Sequence, residues 1–228
     1  MRKKELFYVG IFLGFTFIMF FIIFGFLVSS NFKPLEIDVI VRDFAYDIRG
    51  EKFGFMYWCN RILTELGFIY VMVLIFIILA VVSKLGLPSF IFGCGAIFTY
   101  FFNLFIKLMC NRERPYINLR WMHEISSSFP SGHASTAMFA YVILMYLAYR
   151  FVKNNKIKIT AYILCPLIIL IVGFTRIVIG VHYFTDILSG YMIGGFCACI
   201  WILICNLCIN KNFNFLNPIL FKKKNIEK

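Results

Sequence analysis

Long charge-free apolar runs divide the chain into predicted membrane-spanning segments. About 20 apolar residues cross the hydrocarbon core of a bilayer, and six runs are near that length. They are Leu6–Val28, Leu66–Ser83, Leu85–Ile106, Ile125–Tyr149, Ile159–Thr175 and Ile187–Asn210. The turn at 130–132 places the true start of the fourth run near His133. The pattern predicts an all-α integral membrane protein with six transmembrane helices in one domain over residues 1–228.

Two features at the ends of these runs refine the prediction. Only Lys84 separates the second and third runs, and Gly86 and Pro88 follow it, which favours a tight hairpin between antiparallel spans. The basic residues 2–4 precede the first run, as they do in a signal peptide. That run is too long for a signal-peptide core, and no small-x-small cleavage site follows it. We therefore expect a retained signal anchor.

The segment between the first two runs, about residues 32–61, has a different pattern. Apolar residues recur there at helical spacing and oppose charged ones: Ile37, Ile40, Val41, Phe44 and Ile48 against Asp38, Arg42, Asp43 and Asp47. This predicts an amphipathic helix at the membrane interface. Two roles are open for it, an anchor lying on the bilayer, which we favour, and a gate for lipid.

Composition excludes a soluble domain. Hydrophobic residues make up 61% of the 228 residues and charged residues only 15%, whereas soluble domains contain about 25% charged residues. The formal net charge is +12. In a soluble protein that charge would suggest nucleic acid as a partner. In a membrane protein it is accounted for by lysines and arginines in the cytoplasmic loops. We expect no nucleic-acid partner.

The distribution of charge predicts the orientation of the chain. With an even number of spans both termini lie on one side, together with Lys84, the loop 150–158 and the tail from Lys211, and this side has a net charge of +11. The other side has a net charge of +1. The positive-inside rule then predicts a multi-pass protein of the cytoplasmic (plasma) membrane with both termini in the cytoplasm.

Three polar stretches lie on the extracytoplasmic side of this topology, and the first is K-L-M-C-N-R-E-R-P at residues 107–115. Lys107 and Arg114 are seven residues apart, two helical turns if the helix continues, so both cations would face one point. A snorkelling lysine and ordinary interfacial arginines are the alternative. Cys110 of this stretch and Cys59 both lie near the outer face, and a disulfide between them is left open.

The second stretch is Phe129-Pro130-Ser131-Gly132-His133. A turn before a helix presents free backbone N–H groups at the positive end of the helix dipole, where anions bind. Ser131 adds a hydroxyl, Gly132 allows close approach of the backbone, and His133 titrates near neutral pH. The alternative is that Ser131 only caps the helix and that His133 has a structural role.

The third stretch runs from Thr175 to Asp186 and contains Arg176 and His182. On a helix, His182 and Asp186 would share one face, and the carboxylate would accept from one ring nitrogen while the other keeps its lone pair. This is how a His–Asp pair is oriented in hydrolases. A buried structural pair is the other interpretation.

Together the three stretches indicate phosphoryl transfer. Cations stabilise the phosphoryl oxygens, one histidine attacks phosphorus, and a second protonates the leaving oxygen. Interfacial charge is expensive and usually functional. A metal site would need more carboxylates than Glu113, Glu124 and Asp186 provide, so we expect no metal and no cofactor.

The same residues resemble the three-part signature of the type-2 phosphatidic acid phosphatase superfamily: K-x6-R-P, then P-S-G-H, then S-R-x5-H-x3-D. The matches are Lys107, Arg114 and Pro115 in the first block, Pro130–His133 in the second, and Arg176, His182 and Asp186 in the third. Thr175 stands where the family usually has serine. Three spaced blocks in order are far more specific than one, and with the six-span layout the resemblance covers roughly residues 60–205.

The resemblance implies a role for each of these residues. His182 would be the nucleophile that forms a phosphohistidine, Asp186 would orient it, and His133 would be the general acid. The phosphate would be bound by Lys107, Arg114, Ser131, Gly132 and Arg176, and to a lesser extent by Arg112.

The predicted protein is a metal-independent membrane lipid phosphatase. Its substrate would be a lipid phosphate or diphosphate such as undecaprenyl diphosphate, phosphatidylglycerol phosphate or phosphatidic acid. A lipid phosphotransferase would use the same residues, and a transporter of lipids or anions that binds phosphate without cleaving it is a third interpretation. Transporters tend to place polar groups near the membrane midplane, whereas here they lie at the ends of spans. The oligomeric state is left open.

Overall fold

The computed structural model describes residues 3–82, 86–116, 118, 120–122 and 124–210. Eight α-helices occupy these described residues, and they confirm the all-α prediction. They are α1 (Lys3–Ser29), α2 (Glu36–Ile48), α3 (Phe55–Glu65), α4 (Ile69–Val82), α5 (Leu87–Met109), α6 (Gly132–Phe151), α7 (Asn155–Val178) and α8 (Phe184–Asn210). Lys84 of the predicted hairpin and the basic tail from Lys211 lie outside the described residues.

Five of these helices are long and apolar enough to cross a membrane. The remaining predicted span, the second apolar run, contains the shorter helix α4. The five are α1, α5, α6, α7 and α8. Helix α4 has 14 residues, about 21 Å at 1.5 Å per residue, which is shorter than the hydrocarbon core of about 30 Å. It is long enough to cross a membrane only together with α3, to which it is inclined by 46°. The second apolar run and α3 therefore form either a broken span that begins earlier than predicted or a re-entrant loop.

Helix α6 lies at the centre of the bundle. It packs against α8, α7 and α5, and α1 packs on the outer side of α8. Glycines in α8 permit this close packing, because a Cβ atom on Gly190 would lie 2.6 Å from the carbonyl oxygen of Ser131 and one on Gly194 would lie 2.3 Å from that of Ser135. The first turns of α6 and α8 are thereby held in direct contact at the end of the bundle where the predicted site lies.

Helix α2 occupies part of the segment predicted to be amphipathic, and its charged face is the one that meets the bundle. Its apolar side chains Ile37, Ile40, Phe44 and Ile48 are exposed. The opposite face packs on α7 and α8 and buries Ala45 together with Asp38, which is fully inaccessible. The apolar face is thus left exposed, and one carboxylate of the charged face is enclosed by protein.

The cysteines predicted near the outer face are not bonded to each other. Cys59 and Cys110 are both free thiols in the structure. Burial raises the pKa of the Cys110 thiol. No disulfide therefore connects α3 to the segment that follows α5.

Candidate active site

The first polar stretch leaves the helix sooner than the seven-residue spacing suggested. Helix α5 ends at Met109, and the chain from Cys110 to Arg114 has no helical turn. Lys107 lies in the last turn of α5, while Arg114 reaches the site from the segment beyond it. The interpretation of two helical turns on one face is wrong, because the helix stops before Arg114.

Arg114 is held close to His182. Its Nη1 donates to the carbonyl oxygen of Val181 at 2.8 Å and lies 3.4 Å from Nε2 of His182, while its Nε donates to the carbonyl oxygen of Ser126 at 2.7 Å. Burial lowers the pKa of Arg114 to about 10, against the opposing charge of Glu124. The guanidinium remains protonated at neutral pH and directs a donor towards the imidazole.

The third stretch is not one helix, and this changes how His182 and Asp186 meet. Helix α7 ends at Val178, Gly180 adopts φ +82°, and α8 begins only at Phe184, so His182 lies in the connection. The two side chains still approach each other: His182 Nδ1 is 3.5 Å from Asp186 Oδ2. That separation is long for a hydrogen bond, and Nδ1 has no hydrogen-bond partner within the described ranges. The prediction that both residues share one helical face is wrong, but the two side chains do lie next to each other.

Asp186 is fixed by its other partners. Its Oδ2 accepts from Ser128 Oγ at 2.5 Å and from the backbone N–H of Tyr183 at 2.8 Å, and its Oδ1 accepts from Arg112. These bonds come from the loop before α6, from the start of α8 and from the segment after α5. The carboxylate is therefore immobilised beside the imidazole before any substrate arrives.

His182 is buried among cations. Burial lowers its pKa well below the ordinary value, and the charges of Arg114, Lys107 and Arg176 lower it further. The imidazole is consequently neutral at physiological pH. A neutral ring with Nδ1–H towards Asp186 would keep the Nε2 lone pair available to a phosphorus atom.

The second stretch begins α6 as predicted. Ser131 is the N-cap, and its Oγ accepts from the backbone N–H of Ala134 at 3.5 Å. Its own N–H donates to the carbonyl oxygen of Asp186 at 3.1 Å, which joins the starts of α6 and α8. The His133 ring packs against Phe68 with 5.0 Å between centroids.

Arg176 and Glu124 form a second charged pair in the site. Arg176 is fully buried, and its Nη2 donates to Glu124 Oε1 at 2.8 Å and its Nη1 to Thr64 Oγ1 at 3.2 Å. Glu124 Oε2 also lies 3.7 Å from Arg114 Nη2. Arg176 Nε has no partner among the described residues. The sequence did not indicate Glu124 as a partner of these cations, because no helical spacing connects it to them.

The neighbouring Thr175 has a local role. Its hydroxyl donates to the carbonyl oxygen of Val172 at 2.8 Å, within α7. The bond is the back-bonding that threonine often makes in a helix.

The guanidinium of Arg112 lies in a buried network of hydrogen bonds. Its Nη1 donates to Asp186 Oδ1 and to Thr185 Oγ1, and its Nη2 donates to Asp38 Oδ2 at 2.7 Å. Burial alone would lower the pKa of Arg112, but the carboxylates of Asp186 and Asp38 raise it above the ordinary value. Sequence reasoning missed Asp38, since its only signal was its place on the charged face of an amphipathic helix.

An apolar cavity of about 660 Å³ extends from the site between α4, α5 and α6. Its apolar walls include Phe68, Met72, Phe76, Ile97 and Phe101, and its polar end is formed by Asn103, Lys107, Glu124, Ser126, Gly132 and His133. Among the described residues, no group of three or more His, Cys, Asp or Glu side chains is arranged to hold a metal ion.

The helices and the site together define a multi-pass membrane protein with a buried His–Asp pair among several cations. The chain belongs to the PAP2 superfamily, whose family model matches residues 88–209. This confirms the resemblance seen in the three motifs, all of which lie within the matched region.

Two curated relatives carry names of lipid phosphatases. Phosphatidylglycerophosphatase B of Bacillus subtilis is 36% identical over 93 residues, which are 40% of this chain and 45% of the relative. Lipid A 1-phosphatase of Rhizobium etli is 32% identical over 88 residues, 38% of this chain and 33% of the relative. The matches thus span less than half the length of these curated relatives.

Two solved structures share the fold over a longer range. The crystal structure of the transmembrane PAP2-type phosphatidylglycerolphosphate phosphatase from Bacillus subtilis matches with a TM-score of 0.67 and 25% identity, covering 89% of this chain and 98% of that one. The crystal structure of LpxE from Aquifex aeolicus matches with a TM-score of 0.61 and 20% identity, covering 75% and 97%. The first covers most of this chain and the second three quarters of it, and both share its helical fold.

Proposed function

We propose that this protein is a membrane lipid phosphatase that hydrolyses a lipid phosphate or diphosphate. The observation that carries the proposal is the position of His182, with Nδ1 at 3.5 Å from Asp186 Oδ2 and Nε2 at 3.4 Å from Arg114 Nη1. One nitrogen faces a carboxylate, and the other faces a cation suited to a phosphoryl oxygen. The names of the relatives agree with this chemistry.

The reaction proceeds in two displacements. Nε2 of His182 attacks the terminal phosphorus, and the bond from phosphorus to the leaving oxygen breaks. That oxygen belongs to the lipid alcohol in a monophosphate and to the lipid phosphate in a diphosphate, and His133 gives it a proton. The product is a phosphohistidine at His182, whose positive ring is stabilised by Asp186. Water, deprotonated by His133, then attacks the phosphorus, and inorganic phosphate leaves as His182 regains its neutral form.

Positively charged and N–H groups bind the phosphoryl oxygens. Lys107, Arg114 and Arg176 provide the charges, and Arg176 Nε is a buried donor with no partner in the part of the chain that the structure describes. Ser131 and Gly132 contribute the amino end of α6, where backbone N–H groups attract an anion. These groups supply the charge compensation that a metal ion provides in other phosphatases, so we expect activity in the presence of EDTA.

The cavity accommodates the lipid part of the substrate. Its apolar walls run from α4 and α5 to a polar end that contains Lys107 and His133. An acyl or isoprenoid chain would lie along the walls with its phosphate at the polar end. Undecaprenyl diphosphate, phosphatidylglycerol phosphate and phosphatidic acid all meet this description.

The site faces the extracytoplasmic side in this proposal, with both termini in the cytoplasm and the whole chain acting as one domain. The end of α5, the starts of α6 and α8 and the end of α7 meet at one end of the bundle, away from the basic loop 150–158. Positive loops remain in the cytoplasm. Labelling of single introduced cysteines with a membrane-impermeant reagent in whole cells tests this orientation.

Release of phosphate from purified protein in detergent tests the function. Wild type should release phosphate from at least one of the three lipids, while His182→Ala and His133→Ala should each abolish release. His123→Ala is the matched control, because it removes the one histidine outside the motifs. Activity of His182→Ala equal to wild type would exclude His182 as the nucleophile. Labelled phosphate that appears on an added lipid or sugar acceptor instead of in solution would identify a phosphotransferase.

A further inference from the structure

Asp38 is a buried carboxylate that the mechanism above does not use. It belongs to α2, outside all three motifs, and its side chain is fully inaccessible. Its oxygens accept from Arg112 Nη2 at 2.7 Å, from the backbone N–H and the hydroxyl of Thr185 at 2.8 and 2.9 Å, and from the backbone N–H of Leu35 at 3.1 Å. One carboxylate thus connects α2, the segment after α5 and the first turn of α8.

Arg112 joins this carboxylate to the one beside the nucleophile. Its guanidinium bonds to Asp38 through Nη2 and to Asp186 through Nη1, and all three side chains are fully buried. The ring of Tyr183 lies against the same guanidinium, at 4.7 Å from its centre. His182 thus lies next to Asp186, Asp186 bonds to Arg112, and Arg112 bonds to Asp38.

The charges of Asp186, Arg112 and Asp38 explain why two carboxylates are needed to keep a negative charge beside His182. With Asp186 alone, Arg112 would form a neutral buried pair, and little negative potential would remain at His182. The second carboxylate shares the guanidinium, so that the three side chains together keep one net negative charge. Low polarisability of the surroundings makes such a charge effective over several ångströms.

We propose that Asp38 is a positioning residue for the phosphoryl transfer, acting through Arg112 to hold Asp186 in place and to preserve its negative charge beside His182. This inference rests on the proposed function. It also gives α2 a role beyond that of an anchor. The helix whose apolar face is exposed to the lipid surface fixes, with its opposite face, the carboxylate that orients the nucleophile.

The kinetic test compares Asp38→Asn with Asp43→Asn. The first keeps the size of the side chain and removes its charge, and the second makes the same change at an exposed position of the same helix. For Asp38→Asn we expect kcat for phosphate release to fall roughly 10-fold to 100-fold, the usual size for residues that support a directly acting group, with KM changed much less. Asp43→Asn should behave as wild type.

A purely structural role for Asp38 requires a separate control. Thr185→Val removes a hydroxyl that donates to Asp38 but leaves every charge in place. Thermal unfolding in detergent measures the stability of each variant, and kcat is then compared per folded molecule. A kcat for Asp38→Asn that equals wild type, or that falls no further than that of Thr185→Val, would overturn the proposal.

A second measurement does not depend on activity. Titration of His182, followed by NMR of its ring nitrogens, should move to lower pH in Asp38→Asn, since a negative charge has been lost. The groups that face the ring, Arg114, Lys107, Arg176, His133 and Asp186, are the same in both proteins. An unchanged titration would contradict the proposal even if kcat fell. A wild type that releases no phosphate would instead overturn the proposed function, while the titration would still decide the role of Asp38.

Discussion

Asp186 Oδ2 lies 3.5 Å from His182 Nδ1, while the same oxygen accepts shorter hydrogen bonds from Ser128 and from the Tyr183 backbone. The carboxylate is therefore positioned by its surroundings and not by the histidine. In the proposed reaction the ring would gain positive charge when it is phosphorylated, so its attraction to Asp186 would increase and the contact could shorten. Asp186 is already in place for that charged state, although the buried, cation-rich surroundings favour the neutral ring before the reaction.

Replacing Asp186 by Asn should remove most of the activity. The amide lacks the charge that stabilises a positive imidazole, and it leaves Arg112 with one carboxylate instead of two. A loss of kcat of about 10²-fold to 10⁴-fold is expected, by comparison with the corresponding change in Ser-His-Asp enzymes. Phosphate release per folded molecule is the measurement, and Asp47→Asn, exposed on α2, is the control. An unchanged kcat would mean that Asp186 has only a structural role.

The pH dependence of the first chemical step should reflect the lowered pKa of His182. The ring must be neutral to attack, and because burial and the nearby cations lower its pKa, it stays neutral when the pH falls through 6.5. The acid limb of kcat/KM should consequently lie below the pKa of about 6.5 of a free imidazole.

This limb is best measured as the burst of p-nitrophenolate that the His133→Ala variant releases from p-nitrophenyl phosphate. That leaving group needs no general acid, and the burst reports only the first step. Arg114→Gln in the same background removes one of the cations, so its acid limb should move towards higher pH. A limb at or above pH 6.5 in the parent variant, or no movement on removal of Arg114, would contradict the assignment.

Replacing Glu124 by Gln should lower the stability of the protein without phosphate and increase the stabilisation that added phosphate provides. Glu124 compensates the charge of Arg176 at 2.8 Å and lies 3.7 Å from Arg114. Removal of one partner from a buried pair costs about 3–5 kcal/mol at most, and less here because Glu124 is partly exposed. The unfolding midpoint in detergent should fall, and inorganic phosphate should raise it more than in wild type.

Glu113→Gln provides the matched control for this prediction, since Glu113 is exposed in the same connecting segment. Its midpoint and its response to phosphate should equal those of wild type. An equal response to phosphate in Glu124→Gln and wild type would show that Glu124 does not compete with an anion for these arginines.

Replacing Gly194 by Ala should separate α8 from α6 and disturb the site. The new Cβ atom would lie 2.3 Å from the carbonyl oxygen of Ser135, which belongs to the backbone of α6 and cannot move by itself. Overpacking of this kind costs about 1–3 kcal/mol. Unfolding midpoint and kcat should both fall. In Gly195→Ala the nearest atom is a side-chain methyl of Thr16 at 3.1 Å, so that neighbouring variant should be much less affected.

Much of the fold and of the candidate site was predictable because its signals are local. Apolar runs of about 20 residues predict spans whatever their neighbours are, since a helix in lipid satisfies its own backbone hydrogen bonds. The spacing from His182 to Asp186 likewise brought the correct pair together, although the helix assumed for it was wrong. The turn at Gly180 places His182 before α8, and nothing in a four-residue spacing distinguishes the two arrangements.

The sequence by itself determined the all-α membrane fold and, through the three motifs, the family to which the chain belongs. Only the tertiary structure decided which charges face one another. It directs Arg112 to Asp38 and Asp186, 74 residues away on either side, and Arg176 to Glu124, 52 residues away. Buried charges need partners, but a charge pattern does not identify them across such distances. Helix packing makes that choice, and here it joins α2, through Arg112, to the carboxylate beside His182.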